Sequence, residues 1–273
     1  MSSHAHDLEM ALAAARKAAD LIRRDYESFV AIPDAAVNIC TETDRAAQEV
    51  ILKHLHEALP DDSLCAEEAT PTVDMAPKGA RRLWVVDPID GTRGFAMKNG
   101  EFSVMIGLIV DGELAVGVVD EPIQKRVTYA VKGQGCKVTV DGSAPRDCRV
   151  SSVATLKEAA LIQSHSKKPG AVSDTVKALA PGRVIEVFSA GVKLAMVARG
   201  EGELYLNTYS KFHDWDICAG HLLVTEAGGD VTMLHGESIR YGQPDYAQHG
   251  GLLATNGRVH AEAVAVLKSI AVG

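Results

Sequence analysis

The 273-residue chain carries 36 Asp and Glu against 28 Lys and Arg, a net charge of −8 that argues against a nucleic-acid polymer as partner. Its 47% hydrophobic content supports one large core or two of ordinary size, yet no uninterrupted apolar run approaches the roughly 18 residues of a membrane span. The cysteines (Cys40, Cys65, Cys136, Cys148 and Cys218) are scattered, odd in number and free of CxxC spacing, which argues against a disulfide framework or zinc site and fits a reducing compartment.

Residues 1–9 are polar and acidic, without the cationic and then apolar stretches of a secretion signal, so a soluble, cytoplasmic protein is expected. From Leu8 to Phe29, apolar residues recur at four- and three-residue steps, which predicts a long amphipathic helix ended by Pro33-Asp34. Residues 37–41 read as extended. Asp44 then opens a second helix with Ala47, Ile51 and Leu55 on one face, and residues 64–66 lead into Glu67-Glu68. The Pro-, Thr- and Gly-containing stretch 68–81 is expected to be a mobile surface loop. Residues 83–86 read as a buried strand, which Pro88 is expected to stop, setting a turn before Gly91-Thr92. Strands at 102–110 and 114–119 flank Asp111-Gly112, a hairpin signal, and strands at 126–131 and 137–140 continue a mostly antiparallel run. After Ser151, strands at 160–163, 184–187, 203–206, 230–233 and 251–254 alternate with helices at 172–179, 192–199, 215–227 and 259–270. The pattern predicts an α+β domain over 1–150 and an α/β domain over 151–273.

Acids gather at four element ends. Asp44 also fits a helix N-cap, Glu67-Glu68 solvated loop charge, and Asp214 with Asp216 the favoured acids of a first helical turn. Asp87 and Asp90 are different, because a buried strand that delivers two acids around a proline needs a compensating cation. The backbone N–H groups of Gly91 and Thr92 lie close by, which suits a divalent cation bridging to a phosphate. No His or Cys cluster competes, so oxygen ligands point to Mg²⁺, with Mn²⁺ as a substitute.

Thr41-Glu42-Thr43-Asp44, Glu67-Glu68, Asp87-Pro88-Ile89-Asp90-Gly91-Thr92 and Trp215-Asp216, the last followed by Ala219-Gly220 and Glu226 to Gly229, occur in that order. Together they resemble the signatures of the Mg²⁺-dependent, lithium-sensitive phosphatases of the inositol monophosphatase superfamily. Arg93-Gly94-Phe95, Asn99 to Val104, Ile162 to Lys167 and Ser189 to Lys193 are similar to segments of its CysQ-type 3'(2'),5'-bisphosphate nucleotidases. Val119-Asp120-Glu121-Pro122 departs from that type, with an acid where tyrosine is usual, and is similar to histidinol-phosphate phosphatases. Cys218 also replaces the usual alanine or threonine.

The resemblance implies a two-domain layered helix–sheet sandwich. It also implies Mg²⁺-dependent hydrolysis of a small phosphomonoester, the 3'-phosphate of 3'-phosphoadenosine 5'-phosphate, which recycles this by-product of sulfate assimilation to AMP. In that reading Glu67, Asp87, Asp90 and Asp216, with the carbonyl of Ile89, hold two or three Mg²⁺ ions. Thr92 and Asp44, with Glu67, orient or deprotonate the attacking water, and the Gly91 and Thr92 amides take phosphate oxygens. Asp90, Ser164, His165, Ser189, Lys193 and Asp216 are the further substrate contacts, Lys193 for a second phosphate. By itself a histidine such as His165 is more often loop surface, and Lys193 equally fits a solvated side chain. Asp216 is preferred to Asp214 because the motif acid directly follows Trp, and acids two apart on a helix point in different directions. The alternatives are an inositol or histidinol monophosphatase and a non-catalytic regulator that kept the fold. A homodimer is common in the superfamily.

Overall fold

The computed structural model describes residues 4–36, 38–165, 172–209 and 211–270. Two helices open the chain, α1 (Ala5–Ser28) and α2 (Glu42–Ala58). α1 buries Ala11, Ala14, Ala15, Ala18 and Ile22 at the expected steps and ends at Phe29, ahead of Pro33. α2 begins two residues before the acid expected to open it. Thr41 is its N-cap and Asp44 its third residue, joined in a capping box with Thr41 N donating to Asp44 Oδ2 at 2.8 Å. Val37 lies outside the described residues.

A seven-stranded sheet follows in sequence order: β1 (Ser63–Ala66), β2 (Arg82–Asp90), β3 (Ser103–Val110), β4 (Glu113–Glu121), β5 (Arg126–Val131), β6 (Cys136–Val140) and β7 (Arg146–Asp147). β1 is parallel to β2 and the other neighbours pair antiparallel. At Asp111-Gly112 the φ angles are 53° and 83°, the left-handed pair a two-residue hairpin needs. The stretch 68–81 is not all loop, since α3 (Pro71–Met75) sits there with Thr72 bonded to Glu49 of α2 at 2.8 Å. Pro88 does not stop β2 either. The register against β3 shifts between Asp87 and Asp90, so the proline occupies a bulge, where its missing N–H removes no ladder bond. β2 is pinned at its start: Arg82 bonds Asp7 at 2.7 Å and Asp62 at 2.8 Å, and the Trp84 indole donates to Asp62 at 2.8 Å.

α4 (Thr92–Ala96) turns off the end of β2. Beyond β7 come β8 (Ala160–Gln163), α5 (Asp174–Leu179), β9 (Arg183–Glu186), α6 (Ala190–Ala198), β10 (Leu204–Asn207), β11 (Lys211–His213), α7 (Cys218–Glu226), β12 (Asp230–Thr232), β13 (Ala247–His249), β14 (Leu252–Thr255) and α8 (His260–Lys268). The second sheet has the order β12-β14-β10-β8-β9, parallel across β10, β8 and β9 and antiparallel at β14. β11 and β13 pair separately and were not foreseen, being three residues each. The helix expected at 215–227 is broken, with a 3₁₀ turn at Asp214–Asp216 and α7 starting after Ile217.

α1 and α2 cover one face of the first sheet, α6 and α7 fill the space between the sheets, and α5 with α8 covers the far face of the second. The result is an α+β fold of alternating helix and sheet layers. Two strand glycines let α7 close on the first sheet: a Cβ at Gly107 would meet Cys218 Sγ at 2.2 Å, and one at Gly117 the Ala219 carbonyl oxygen at 2.5 Å. Residues 149–154 connect the sheets, and the buried cluster between them draws side chains from both. Among the described residues no helix is long and apolar enough to cross a membrane.

Candidate active site

The bulge in β2 is what brings its two acids together. Residues three apart on a regular strand face opposite sides, and one extra residue at Pro88 returns Asp90 to the side of Asp87. Both carboxyls are buried. Glu67 follows β1, with its N–H on the Val86 carbonyl at 3.2 Å, and its carboxyl touches that of Asp87. Asp216 comes from the 3₁₀ turn, its Oδ2 accepting the His213 N–H at 2.6 Å. Asp214 turns away and accepts from Gln248 Nε2 and Gly242 N, each at 2.7 Å. Every expected site residue except Asp44 and Ser189 lines one cleft of about 510 Å³.

Burial first, then the neighbouring acids, hold these carboxyls above the ordinary range. Glu67 is pushed up to about 8, with Asp216 its main charged neighbour, and Asp216 to about 7, while Asp87 lies well above its usual value. None of the groups acting most strongly on Glu67 or Asp87 is basic. Crowded oxygen donors with no basic partner fit a hard divalent cation, which Glu67, Asp87, Asp90, Asp216 and the Ile89 carbonyl could hold. Among the described residues no three acid, His or Cys side chains already stand at ligand spacing; the acids lie along the cleft wall, each on its own hydrogen bonds.

Asp90 is seated on the N-terminus of α6. Its Oδ1 accepts the Ala190 N–H at 3.1 Å, and its Oδ2 accepts the Gly191 N–H at 2.6 Å and the Ser189 hydroxyl. Ser189 also caps α6, accepting the Val192 N–H at 3.0 Å, and is fully buried. Its expected contact with substrate is therefore corrected to a hold on Asp90. Lys193 lines the cleft, yet its Nζ is engaged within the protein. Its buried Nζ donates to the Val187 and Phe188 carbonyls at 2.9 Å each and to Ser164 Oγ at 3.2 Å, so all three N–H donors are used inside the protein. Burial lowers its pKa to about 8. His165 Nε2 lies 2.7 Å from Glu101 Oε2, with its ring 4.3 Å from that of Phe188 at the cleft wall. Ser166 and Lys167 of the same motif lie outside the described residues.

Gly91 N-caps α4 at a φ of 87°, and a Cβ there would meet the Glu101 carbonyl oxygen at 2.8 Å. Thr92 Oγ1 stands 2.9 Å from Asp44 Oδ1 and 3.0 Å from the Ile89 carbonyl oxygen. Asp44 is 1% exposed and sits behind Thr92, which explains why it does not line the cleft. Arg93 is the residue that motif reading passed over. Its guanidinium lies 5.3 Å from the centre of the Phe188 ring, and its Nε is buried without a hydrogen-bond partner. The sequence carried it only inside the Arg93-Gly94-Phe95 segment, with no role assigned to its side chain.

A larger cleft of about 700 Å³ lies between α1 and the β5–β6 region, lined by Arg16, Arg23, Asp120 and Tyr129 among others. It contains none of the expected residues, and its acids Asp120 and Asp141 share it with Arg16, Arg23 and Lys125. Asp120 faces this second cleft, and Glu121 pairs with Arg126 at 2.6 Å and Arg199 at 2.9 Å. The acidic pair that resembles histidinol-phosphate phosphatases thus does not reach the acid-lined cleft.

Residues 4–271 match the sequence model of the inositol monophosphatase family. The chain is 31% identical to a histidinol-phosphatase of Mycobacterium tuberculosis, over 96% of this chain and 98% of that protein. It is 30% identical to the 3'(2'),5'-bisphosphate nucleotidase CysQ of Salmonella typhimurium, over 86% and 93%. Among solved structures it is similar to the Thermotoga maritima IMPase, with a TM-score of 0.79 and 26% identity over 97% of each chain.

Proposed function

The chain belongs to the inositol monophosphatase family and is a phosphatase of that family, and from this premise we propose a Mg²⁺-dependent 3'(2'),5'-bisphosphate nucleotidase that converts 3'-phosphoadenosine 5'-phosphate to AMP and phosphate. The observation that carries the substrate choice is Arg93. It is a cation without a hydrogen-bonded or charged partner among the described residues, in the same cleft as the acids, and a second phosphate would satisfy it. Histidinol phosphate, suggested by the name of one relative, brings an ammonium group instead and leaves Arg93 unpaired.

In this reading the Asp90 and Asp216 carboxylates, with Glu67, Asp87 and the Ile89 carbonyl, would hold Mg²⁺. When bound, the metal neutralises the acids, polarises the phosphoryl oxygens and lowers the pKa of the attacking water. Gly91 and Thr92 present backbone N–H groups to the phosphate. The Thr92 hydroxyl donates to Asp44 and keeps its lone pairs for a proton of the attacking water, which fixes that water's orientation. The α6 N-terminus, through Ser189, Ala190 and Gly191, holds Asp90 in place.

Phosphate release should be compared for 3'-phosphoadenosine 5'-phosphate, inositol 1-phosphate and histidinol phosphate, each with Mg²⁺ and with EDTA. The bisphosphate is expected to give the highest kcat/KM, and EDTA to abolish turnover. Equal or faster turnover of either monophosphate sinks the nucleotidase, and activity that survives chelation sinks the metal role. Arg93→Ala is expected to raise KM for the bisphosphate about 10- to 100-fold with kcat little changed, the loss of one charged hydrogen bond of roughly 1.5–3 kcal/mol. KM for inositol 1-phosphate should stay within about twofold. An equal rise for both substrates would assign Arg93 to the scissile phosphate and remove the support for a second one.

A further inference from the structure

Cys136 and Cys148 meet at the edge of the first sheet. The ladder pairs Val138 with Arg146 and Lys137 with Asp147, and one step further places Cys148 opposite Cys136. The Cys148 N–H donates to the Cys136 carbonyl at 2.8 Å. Residues facing each other in such a pair stand about 5.5 Å apart at Cα and project to the same side, within the span of a disulfide. Both side chains enter the same buried cluster between the sheets.

The two thiols are not equivalent. Contact with Cys136, helped by the Arg199 guanidinium, holds Cys148 below the usual thiol range, and the same contact pushes Cys136 above it. Cys148 also has an approach from solvent. It lines a pocket of about 340 Å³ together with Arg146, Arg149 and Arg199, and with Asp147 and Glu201. Arg199 is occupied by Glu121 and Glu201, whereas Arg146 and Arg149 carry no side-chain ion pair among the described residues. The pocket therefore offers a thiol beside two available cations, a setting for a small anionic disulfide.

We propose that Cys148 is a thiol-modification site and Cys136 its resolving partner, the two forming a reversible disulfide by exchange with an anionic low-molecular-weight disulfide such as oxidised glutathione. The Cys148 thiol loses its proton and its sulfur attacks one sulfur of the small disulfide, breaking that S–S bond and expelling one glutathione thiolate. The Cys136 thiol then loses its proton and attacks the Cys148 sulfur of the mixed disulfide, expelling the second glutathione. Two protein thiols give up two electrons and two protons, and one glutathione disulfide becomes two glutathiones. The two-residue strand β7 at the sheet edge can make the small closing movement the bond requires. In a reducing compartment such a bond forms only transiently, as a redox response.

The test uses the full-length protein with oxidised glutathione as the probe, followed by blocking of remaining thiols, digestion and mass spectrometry. A peptide joining Cys136 to Cys148, reversed by dithiothreitol, is expected, and Cys136→Ser should stop at one glutathione on Cys148. Neutralising both Arg146 and Arg149 should slow the reaction with oxidised glutathione about tenfold but leave the rate with uncharged diamide unchanged, as a steering effect requires. The wild-type peptide map decides the matter even if a variant fails to fold. The proposal is overturned if native Cys136 and Cys148 stay reduced while the urea-unfolded protein reacts, if another pair is joined, or if Cys40 alone is consumed.

Discussion

Asp87→Asn is expected to lower phosphate release at least about 10³-fold and, in EDTA, to raise the melting temperature above that of the parent. The carboxyl is 2% exposed, touches Glu67 and lies near Asp90 and Asp216, and no basic group stands among its strongest neighbours. An amide of the same shape keeps the bond that Asp87 Oδ1 accepts from the Ile89 N–H at 3.1 Å. It removes a carboxyl whose raised pKa costs the folded state stability at neutral pH, so the swap is expected to stabilise the metal-free protein. The same swap should cost the several kcal/mol by which a bound cation stabilises the developing phosphoryl charge, and about 4 kcal/mol corresponds to the 10³-fold figure. Added Mg²⁺ should raise the melting temperature of the parent well above its EDTA value and that of the variant far less. A variant that keeps more than a tenth of the activity, or that melts below the parent in EDTA, is incompatible with Asp87 as a metal ligand.

The opposite signs of those two effects reflect how the site is built. The fold pins β2 at Arg82 and Trp84, bulges it at Pro88, and sets its acids in a buried place beside Glu67, with Asp216 near enough to repel them. Crowding these acids does not help the chain fold, and they would be better solvated apart. Such clusters persist where function requires them.

Much of this was legible in the residues. The apolar steps of α1 and the Asp-Gly pairs at 111 and 141 each encode a local geometry directly, the first by period and the others by left-handed φ. The acids at 67, 87, 90 and 216 were legible as a set because their motifs occur in the family's order. What could not be read has specific causes. A bulge leaves no mark on a short apolar strand, so Pro88 looked like a stop. β7, β11 and β13 span two or three residues, too few for any periodicity. Ser189 and Lys193 were expected at the substrate, with a solvated side chain the alternative for Lys193, whereas each is buried by local partners, a helix end for one and two carbonyls for the other. Arg93 stands out only through the lack of a partner, which is a property of three-dimensional neighbours.

Thr92→Ala is expected to reduce kcat about 10²- to 10⁴-fold, the usual worth of a positioned proton-transfer group, with KM within a few-fold of the parent. The Thr92 hydroxyl has one proton and two acceptors in reach, Asp44 Oδ1 at 2.9 Å and the Ile89 carbonyl oxygen at 3.0 Å. A carboxylate is the stronger acceptor, so the proton goes to Asp44 and the threonine oxygen is left facing the cleft as an acceptor for water. Thr92→Ser keeps that hydroxyl and should recover most of the rate, an outcome a purely structural role of the threonine methyl would not give. Asp44→Asn should match the alanine variant in kcat and also weaken α2 by about 1 kcal/mol, because Asp44 is half of the capping box with Thr41. If the two residues act as one relay, the double variant is no slower than the slower single variant, whereas independent contributions would multiply. Multiplicative losses, or a serine variant as slow as alanine, would separate Thr92 from Asp44 and leave orientation of the water to Glu67 alone.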